Sequence, residues 1–349
     1  MAGARGSDSA SRAAAHSQGE PLALIALVGA PRSGTTWLQT LLASHDAIVS
    51  PQETNLFSRY VAPLEERWRY EARGSVAERQ QRRFTGLGAV LTEAEFHTEI
   101  GHFVNDVLRA IAALKPGATI VVEKTPSHSL HVDLIARHVP QARFVHIVRD
   151  GRDVAASLVA ASQGWGKAWG APSSVGAAAR TWRNYVVAAR EAQALGPYHE
   201  VRYEVLRAGG HEAAAALEAV FGFCGVAPGG SEAAERLDRF ALGASTSERG
   251  IVIGGEAAAH ESAAREPEGF VRRGRVGGWQ DWNVAERVEF DVAAGPLLAE
   301  LGYTQGSEWL GPAGAVRRAR RSVAARGRLA RVQRAVAGRL VRSAARLEP

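Results

Sequence analysis

A nine-residue loop, Gly29-Ala-Pro-Arg-Ser-Gly-Thr-Thr-Trp37, constrains this chain more than any other stretch. It follows the apolar run Leu22–Val28 and opens onto the helix-prone Leu38–Ser44. An unbroken apolar run stopped by glycine reads as a strand buried on both faces. Strand, glycine loop and helix N-terminus in succession make an anion cradle, because unpaired backbone N–H groups and the positive end of the helix dipole converge on one point. A nucleoside-triphosphate loop carries Lys directly after its second glycine, to reach the terminal phosphates. Here that position is Thr35, and the cation is Arg32, two residues before Gly34. The loop is built for a different anion, or for one that reacts differently.

The rest of the chain alternates short apolar runs with helical patterns. Strands are expected at 22–28, 46–50, 118–123, 143–148 and 199–203. Helices are expected at 35–44, 64–82, 92–114, 128–138, 152–162, 175–195, 211–221 and 284–301. This alternation predicts an α/β fold, a P-loop-type parallel sheet flanked by helices on both faces. Ligands of such sheets bind beyond the carboxyl ends of the strands. Residues 1–20, rich in Ala, Ser and Gly, are expected to be disordered. Residues 244–278 read as a long irregular loop suited to a lid.

Two further stretches suit anions. Arg143–Val148 reads as a strand and Asp153–Ala161 as a helix after the Asp150-Gly151 turn. Arg149 and Ser157, eight residues apart, can close a guanidinium and a hydroxyl around one phosphate. In Phe270-Val-Arg-Arg-Gly-Arg-Val-Gly-Gly-Trp279, Arg272 and Arg273 supply charge-assisted bonds, while Gly274 and Gly277 let backbone approach a phosphate.

Taken in order, these three motifs resemble those of sulfotransferases that use 3′-phosphoadenosine 5′-phosphosulfate (PAPS). Pro31–Trp37 is similar to the family's 5′-phosphosulfate loop, Arg149 with Ser157 to its 3′-phosphate site, and residues 270–279 to its late Arg-Lys-Gly-x-x-Gly-x-Trp loop. The resemblance implies that Arg32, Ser33, Gly34, Thr35 and Thr36 hold the phosphosulfate. It implies that Arg149, Ser157, Arg272, Arg273 and Gly274 hold the 3′-phosphate, and that Trp37 and Tyr203 wall the adenine. PAPS is then the co-substrate. No metal is expected, since sulfate bears less charge than a terminal phosphate and the sequence displays no metal-ligand cluster. The sulfotransferase domain is expected over 21–312.

Catalysis is expected to use Arg32 electrostatically, since Arg does not readily give up a proton. Lys124, one of three lysines beside 39 arginines, ends a strand in Ile120-Val-Val-Glu-Lys-Thr-Pro126 and is expected at the sulfate or bridging oxygen. Many relatives place a His base after Lys-Thr; here Pro126 stands there. Glu-Lys-Thr-Pro resembles the bacterial, glycan-type and tyrosyl-protein branches, and the first of these with the glycan type is the expected placement. Glu53, in Ser50-Pro-Gln-Glu-Thr-Asn-Leu-Phe57, is the expected general base and His128 the reserve. Glu123 is expected to point away from Lys124, because strand neighbours alternate faces. Trp182 and Tyr185 read as a packing stripe. Trp165 and Trp169, set among glycines, suit either a mobile acceptor wall or a packed loop. The expected acceptor is a hydroxyl of a glycan, glycolipid or natural product.

Two other classes compete with this reading. A P-loop kinase or NTPase needs Lys at 35 and an acidic metal ligand, for which only Asp150 offers itself, between Arg149 and Arg152. A non-catalytic nucleotide-binding protein needs the cradle without a base. Net charge decides little here. Of the formal +6, eleven Arg and one Glu fall in the tail 313–349, which leaves 31 basic against 35 acidic residues elsewhere. No specific nucleic-acid partner is therefore expected. The tail carries Leu329, Val332, Val336 and Leu340 at helical spacing and suits either a solvated segment or peripheral contact with an anionic membrane face. One cysteine, Cys224, permits no internal disulfide, and no apolar run reaches 18 residues. A cytoplasmic location is expected, with the inner membrane face as the tail's alternative.

Overall fold

The computed structural model describes residues 22–72, 77–78, 80–81, 86–227, 230–239 and 276–320. Five strands, all parallel, make one sheet in the order β2-β3-β1-β4-β5. They are β1 (Ala23–Val28), β2 (Ile48–Val49), β3 (Ile120–Glu123), β4 (Arg143–Val148) and β5 (Tyr198–Arg202). Alternate residues of β1 enter different cores, Ile25 and Leu27 on one face, Leu24 and Ala26 on the other. Burial on both faces explains why β1 is apolar throughout.

The first face carries α1 (Thr35–Ala43), α7 (Tyr203–Ala208) and α8 (Gly210–Cys224), with Leu38, Leu41, Leu217 and Phe221 in its core. The second carries α2 (Ala62–Ala72), α3 (Glu93–Ala112) and α4 (Val132–His138), through Trp68, Phe96, Val104 and Ile135. A third core joins α5 (Gly151–Ser162), α6 (Val175–Arg190) and α10 (Val284–Glu300) around Trp182 and Phe290. The helix α9 (Gly230–Arg239) packs beside α8.

Strand order fixes where a ligand can enter. From β1 the chain crosses to β2 on one side, and from β4 to β5 on the other. The topology switches between β1 and β4, which are neighbours with Val28 level with His146. A crevice opens at such a point beyond the strand ends. The loops leaving it are Gly29–Gly34 and Arg149–Asp150, two of the three anion motifs.

Strand 143–148 forms as expected, and the other strands differ from expectation by a few residues. The helix expected at 128–138 is broken: Pro126–Leu130 is a 3-10 turn and α4 begins at Val132. The helix expected at 64–82 begins instead at Ala62, after a π-helical turn at Leu56–Val61. Tyr203 opens α7 rather than closing β5. Arg272, Arg273, Gly274, the N-terminal 1–20, most of the lid 244–278 and the tail beyond 320 lie outside the described residues. The tail's expected start at 313 falls inside a helix, 311–320.

Candidate active site

The loop after β1 is shaped by unusual backbone. Gly34 is the N-cap of α1 at φ 96°, and Arg32 also lies left-handed, at φ 73°. Gly34 makes no side-chain cap hydrogen bond to α1, and a helix N-terminus with no such cap suits an anion. Ser33 is buried, its N–H and hydroxyl both turned back to the carbonyl of Ala30. Ser129 clamps the loop's start, accepting from Gly29 N–H at 2.9 Å and donating to Gly29 O at 3.2 Å. No sequence signal marked Ser129, because its role depends on a contact 100 residues away.

The β4 motif meets this loop directly. Arg149 Nη1 donates to the carbonyl of Arg32 at 3.1 Å. Arg32 Nε donates to Ser157 Oγ at 3.0 Å, and its guanidinium lies 5.4 Å from the Trp165 ring centre. Arg32, left-handed in the loop, reaches α5 and the Arg149–Ser157 pair. Two guanidinium groups and a hydroxyl thus share one corner. Trp37 and Tyr203 stand edge to face at 5.7 Å, and Arg149 lies 4.4 Å from the Tyr203 ring centre. The indole of Trp182 donates to Arg149 O at 3.2 Å, so this core residue also positions the strand end.

Asp150 caps α5 and binds Arg152 through both carboxylate oxygens, at 2.6 Å for the shortest contact. Trp279 and Trp309 flank the Arg152 guanidinium at 4.0 and 5.2 Å. That pairing engages the carboxylate on which the kinase reading rested. Asp153 accepts from the amides of Gly277 at 3.0 Å and Gly278 at 2.7 Å, tying the end of the third motif to α5. Burial raises the Asp153 pKa above the ordinary carboxylate value, against the pull of those amides and Arg149.

A second polar cluster lies at the end of β3. Lys124, 3 % exposed, bonds Glu53 at 2.6 Å, and Glu53 keeps 41 % of its side chain in solvent. Glu123 turns the other way, as alternation predicts. It is buried, accepting from Thr54 at 2.7 Å, Thr125 at 2.8 Å and His128 Nδ1 at 2.5 Å. Burial raises its pKa, but His128 and the two hydroxyls outweigh that and hold it below the ordinary range. His128 Nε2 accepts from Phe57 N–H at 3.1 Å, so Nδ1 carries the ring proton. Both nitrogens are occupied in the core, which leaves His128 no lone pair for an acceptor. Tyr185 packs against the third core beside Trp182, and burial, with the nearby charge of Glu53, raises its phenol pKa.

The fold and these loops define a class: an α/β protein with a glycine loop and a helix N-terminus at the switch point of a parallel sheet. A family model described as the sulfotransferase family matches residues 25–227. The chain belongs to the sulfotransferase family. It is 29 % identical over 138 residues to protein-tyrosine sulfotransferase 1 of Mus musculus, covering 39 % of this chain and 34 % of that protein. The Danio rerio protein of the same name is 27 % identical over 138 residues, covering 39 % and 35 %. The match thus spans about a third of the length of these curated relatives. Among solved structures, the sulfotransferase domain of the Synechococcus PCC 7002 olefin synthase is 19 % identical with a TM-score of 0.46, covering 82 % of this chain and 97 % of that one. A mouse sulfotransferase complexed with PAP is 17 % identical with a TM-score of 0.42, covering 80 % and 88 %.

Proposed function

We propose that the protein transfers a sulfuryl group from PAPS to an acceptor hydroxyl. The observation that carries this is the meeting of the β1 and β4 loops, where the N-terminus of α1, without a side-chain cap, stands beside Arg32, Arg149 and Ser157. In this reading the amides of Gly34–Thr36 receive the 5′-phosphosulfate, Arg149 and Ser157 the 3′-phosphate, and Trp37 with Tyr203 the adenine. Arg32 balances charge between the two anions. Arg272, Arg273 and Gly274 complete the 3′-phosphate site from the lid.

Glu53 takes the acceptor's proton as its oxygen bonds to sulfur, and the bond from sulfur to the 5′-phosphate oxygen breaks to leave 3′-phosphoadenosine 5′-phosphate (PAP). Lys124 meets the charge that grows on the sulfate and leaving oxygens. Two features support this division of labour: the lysine is buried, and its carboxylate partner stays open to solvent where an acceptor can arrive. The acceptor class we propose is a glycan, glycolipid or natural product, handled without a metal. The branch we propose is the bacterial and glycan type, on the Glu-Lys-Thr-Pro segment, which the tyrosyl-protein branch also resembles. The location we propose is the cytoplasm, with the tail at most peripheral to a membrane. Among the described residues no helix is long and apolar enough to cross one.

The test is calorimetric binding of PAP beside 5′-AMP and Mg-ATP. Preference for PAP is expected, and Arg149→Ala should weaken it about 10- to 150-fold, the worth of a bond to a charged group. Tighter binding of Mg-ATP, or an Arg149→Ala protein with unchanged PAP affinity, overturns the assignment.

A further inference from the structure

Away from the strand ends, α2, α3 and α4 bring Glu65, His97 and His138 to one point. Their donor atoms all lie within 4.8 Å of one another. Glu65 Oε1 is 3.0 Å from His97 Nδ1 and 2.8 Å from His138 Nε2. The sequence displays no metal-ligand spacing here because the three residues sit on separate helices, 32 and 73 positions apart from Glu65. From this geometry we propose that Glu65, His97 and His138 form a binding site for a divalent cation of the zinc class, which ties the three helices together.

The donor set selects the ion. Two imidazoles and one carboxylate suit Zn²⁺, Co²⁺ or Ni²⁺, whereas Ca²⁺ and Mg²⁺ prefer oxygen. Bonds of about 2.1 Å to one ion hold donors roughly 3.0–3.4 Å apart, so the two shorter separations open by a few tenths of an ångström while the third, within 4.8 Å, closes toward that range. The surroundings fit as well. Glu65 is fully buried beside the stacked Trp68 and Phe96 rings, and its second oxygen is fixed by Arg137 Nη1 at 3.0 Å. Arg137 is 43 % exposed, so solvent screens its repulsion of a cation. The other nitrogen of His97 lies 3.7 Å from Glu93 Oε1, the outer carboxylate that commonly orients a ligating imidazole. His97 is 26 % exposed, which gives the ion a way in and water a coordination position. Without an ion the same atoms make a hydrogen-bonded cluster, each imidazole donating to Glu65. On binding, the cation takes the place of each proton, which moves to the other nitrogen of its ring, so both imidazoles stay neutral.

The experiment uses the untagged full chain, stripped with chelator and titrated with Zn²⁺, then with Co²⁺ as a spectroscopic probe. Expected are one tightly bound Zn²⁺ per chain, visible Co²⁺ absorption bands that Zn²⁺ abolishes, and a higher thermal midpoint with Zn²⁺. His97→Ala, at the exposed edge, should lower the affinity about 10- to 100-fold or more, and His211→Ala, an exposed histidine elsewhere, should change nothing. Glu65→Gln should act like His97→Ala; if the Glu65→Gln protein fails to fold, His97→Ala alone decides. Absence of saturable binding by the folded wild type, or equal binding by His97→Ala, overturns the proposal.

Discussion

Two carboxylates and one histidine crowd the end of β3, and their partners separate chemistry from support. Glu53 bonds Lys124 and keeps an open side. His128 has two partners and no open side. If Glu53 is the base, Glu53→Gln should keep PAP affinity and lower kcat about 10²–10⁴-fold, the usual worth of a positioned base. His128→Ala should do the reverse. It takes one of three donors from the buried Glu123 carboxylate, at a cost of about 1–3 kcal/mol, while the protein that remains folded turns over within a few-fold of normal. Urea midpoints and single-turnover rates of both variants decide the matter. A His128→Ala enzyme of full stability and no turnover would return the base to His128. Sequence made both residues visible as candidates, but not their ranking. Whether an imidazole nitrogen is taken by the Phe57 amide depends on a contact 71 residues away.

At the scale of elements, β1, its loop and α1 were legible because their pattern is local. An apolar run, two glycines and a helix former can be read along the chain. The break between Pro126–Leu130 and α4 was not, since His128 is pulled into the core by Glu123 and Phe57 rather than continuing a helix. The π-helical turn at Leu56–Val61 escaped for a similar reason: the Asn55 amide bonds Thr125 at 3.2 Å, a partner 70 residues on. The tie of Gly277 and Gly278 to α5 was half visible, as glycines in a motif, while their partner Asp153 was not. Gly34 is where local and distant demands meet. A Cβ there would lie 2.5 Å from the Tyr203 ring, on a backbone already at φ 96°. Gly34→Ala should therefore cost about 1–3 kcal/mol from conformation and a further 1–3 kcal/mol or so from overpacking, and should lose PAP binding. Adding Tyr203→Leu should recover stability more in the Gly34→Ala background than the same change costs alone. A urea series on the four proteins measures that coupling, and simple additivity would mean that the ring does not set the glycine's necessity.

Across the whole molecule, the third core closes against residues that the sequence pattern places in the tail. Asp291, 1 % exposed on α10, pairs with Arg318, which lies beyond Pro312 and inside the basic run. A chain cut after 312 should lose stability by about 3 kcal/mol as Asp291 is left buried and unpaired; one cut after 320 should not. Thermal melts of the two truncations check this, and equal midpoints would place the boundary at 312. Acid should act on the molecule in two stages. Burial lowers the pKa of His146, His131 and His199 below the ordinary 6.5. For His146 the reason is visible, since its Nε2 is buried without a hydrogen-bond partner. Unfolded, these rings take up protons that the native rings refuse, so stability begins to fall as pH drops through about 6.5. Glu123 and Glu200 form the second stage. Burial raises Glu200, but His146, Arg190 and Tyr198 outweigh it and pull it well below the ordinary carboxylate range. Carboxylates held low contribute fully above about pH 4.5 and lose that contribution as pH falls through their native values. Asp153, raised by burial, works the other way: its contribution is present below its ordinary 3.8 and lost as pH rises through its native value, so it opposes the carboxylate stage. The urea midpoint followed by tryptophan fluorescence should therefore decline gently from about pH 7 to 5 and steeply below about 4.5. Glu200→Gln should flatten the lower limb, and a midpoint constant from about pH 7 to 4 would show that these buried groups do not control acid stability.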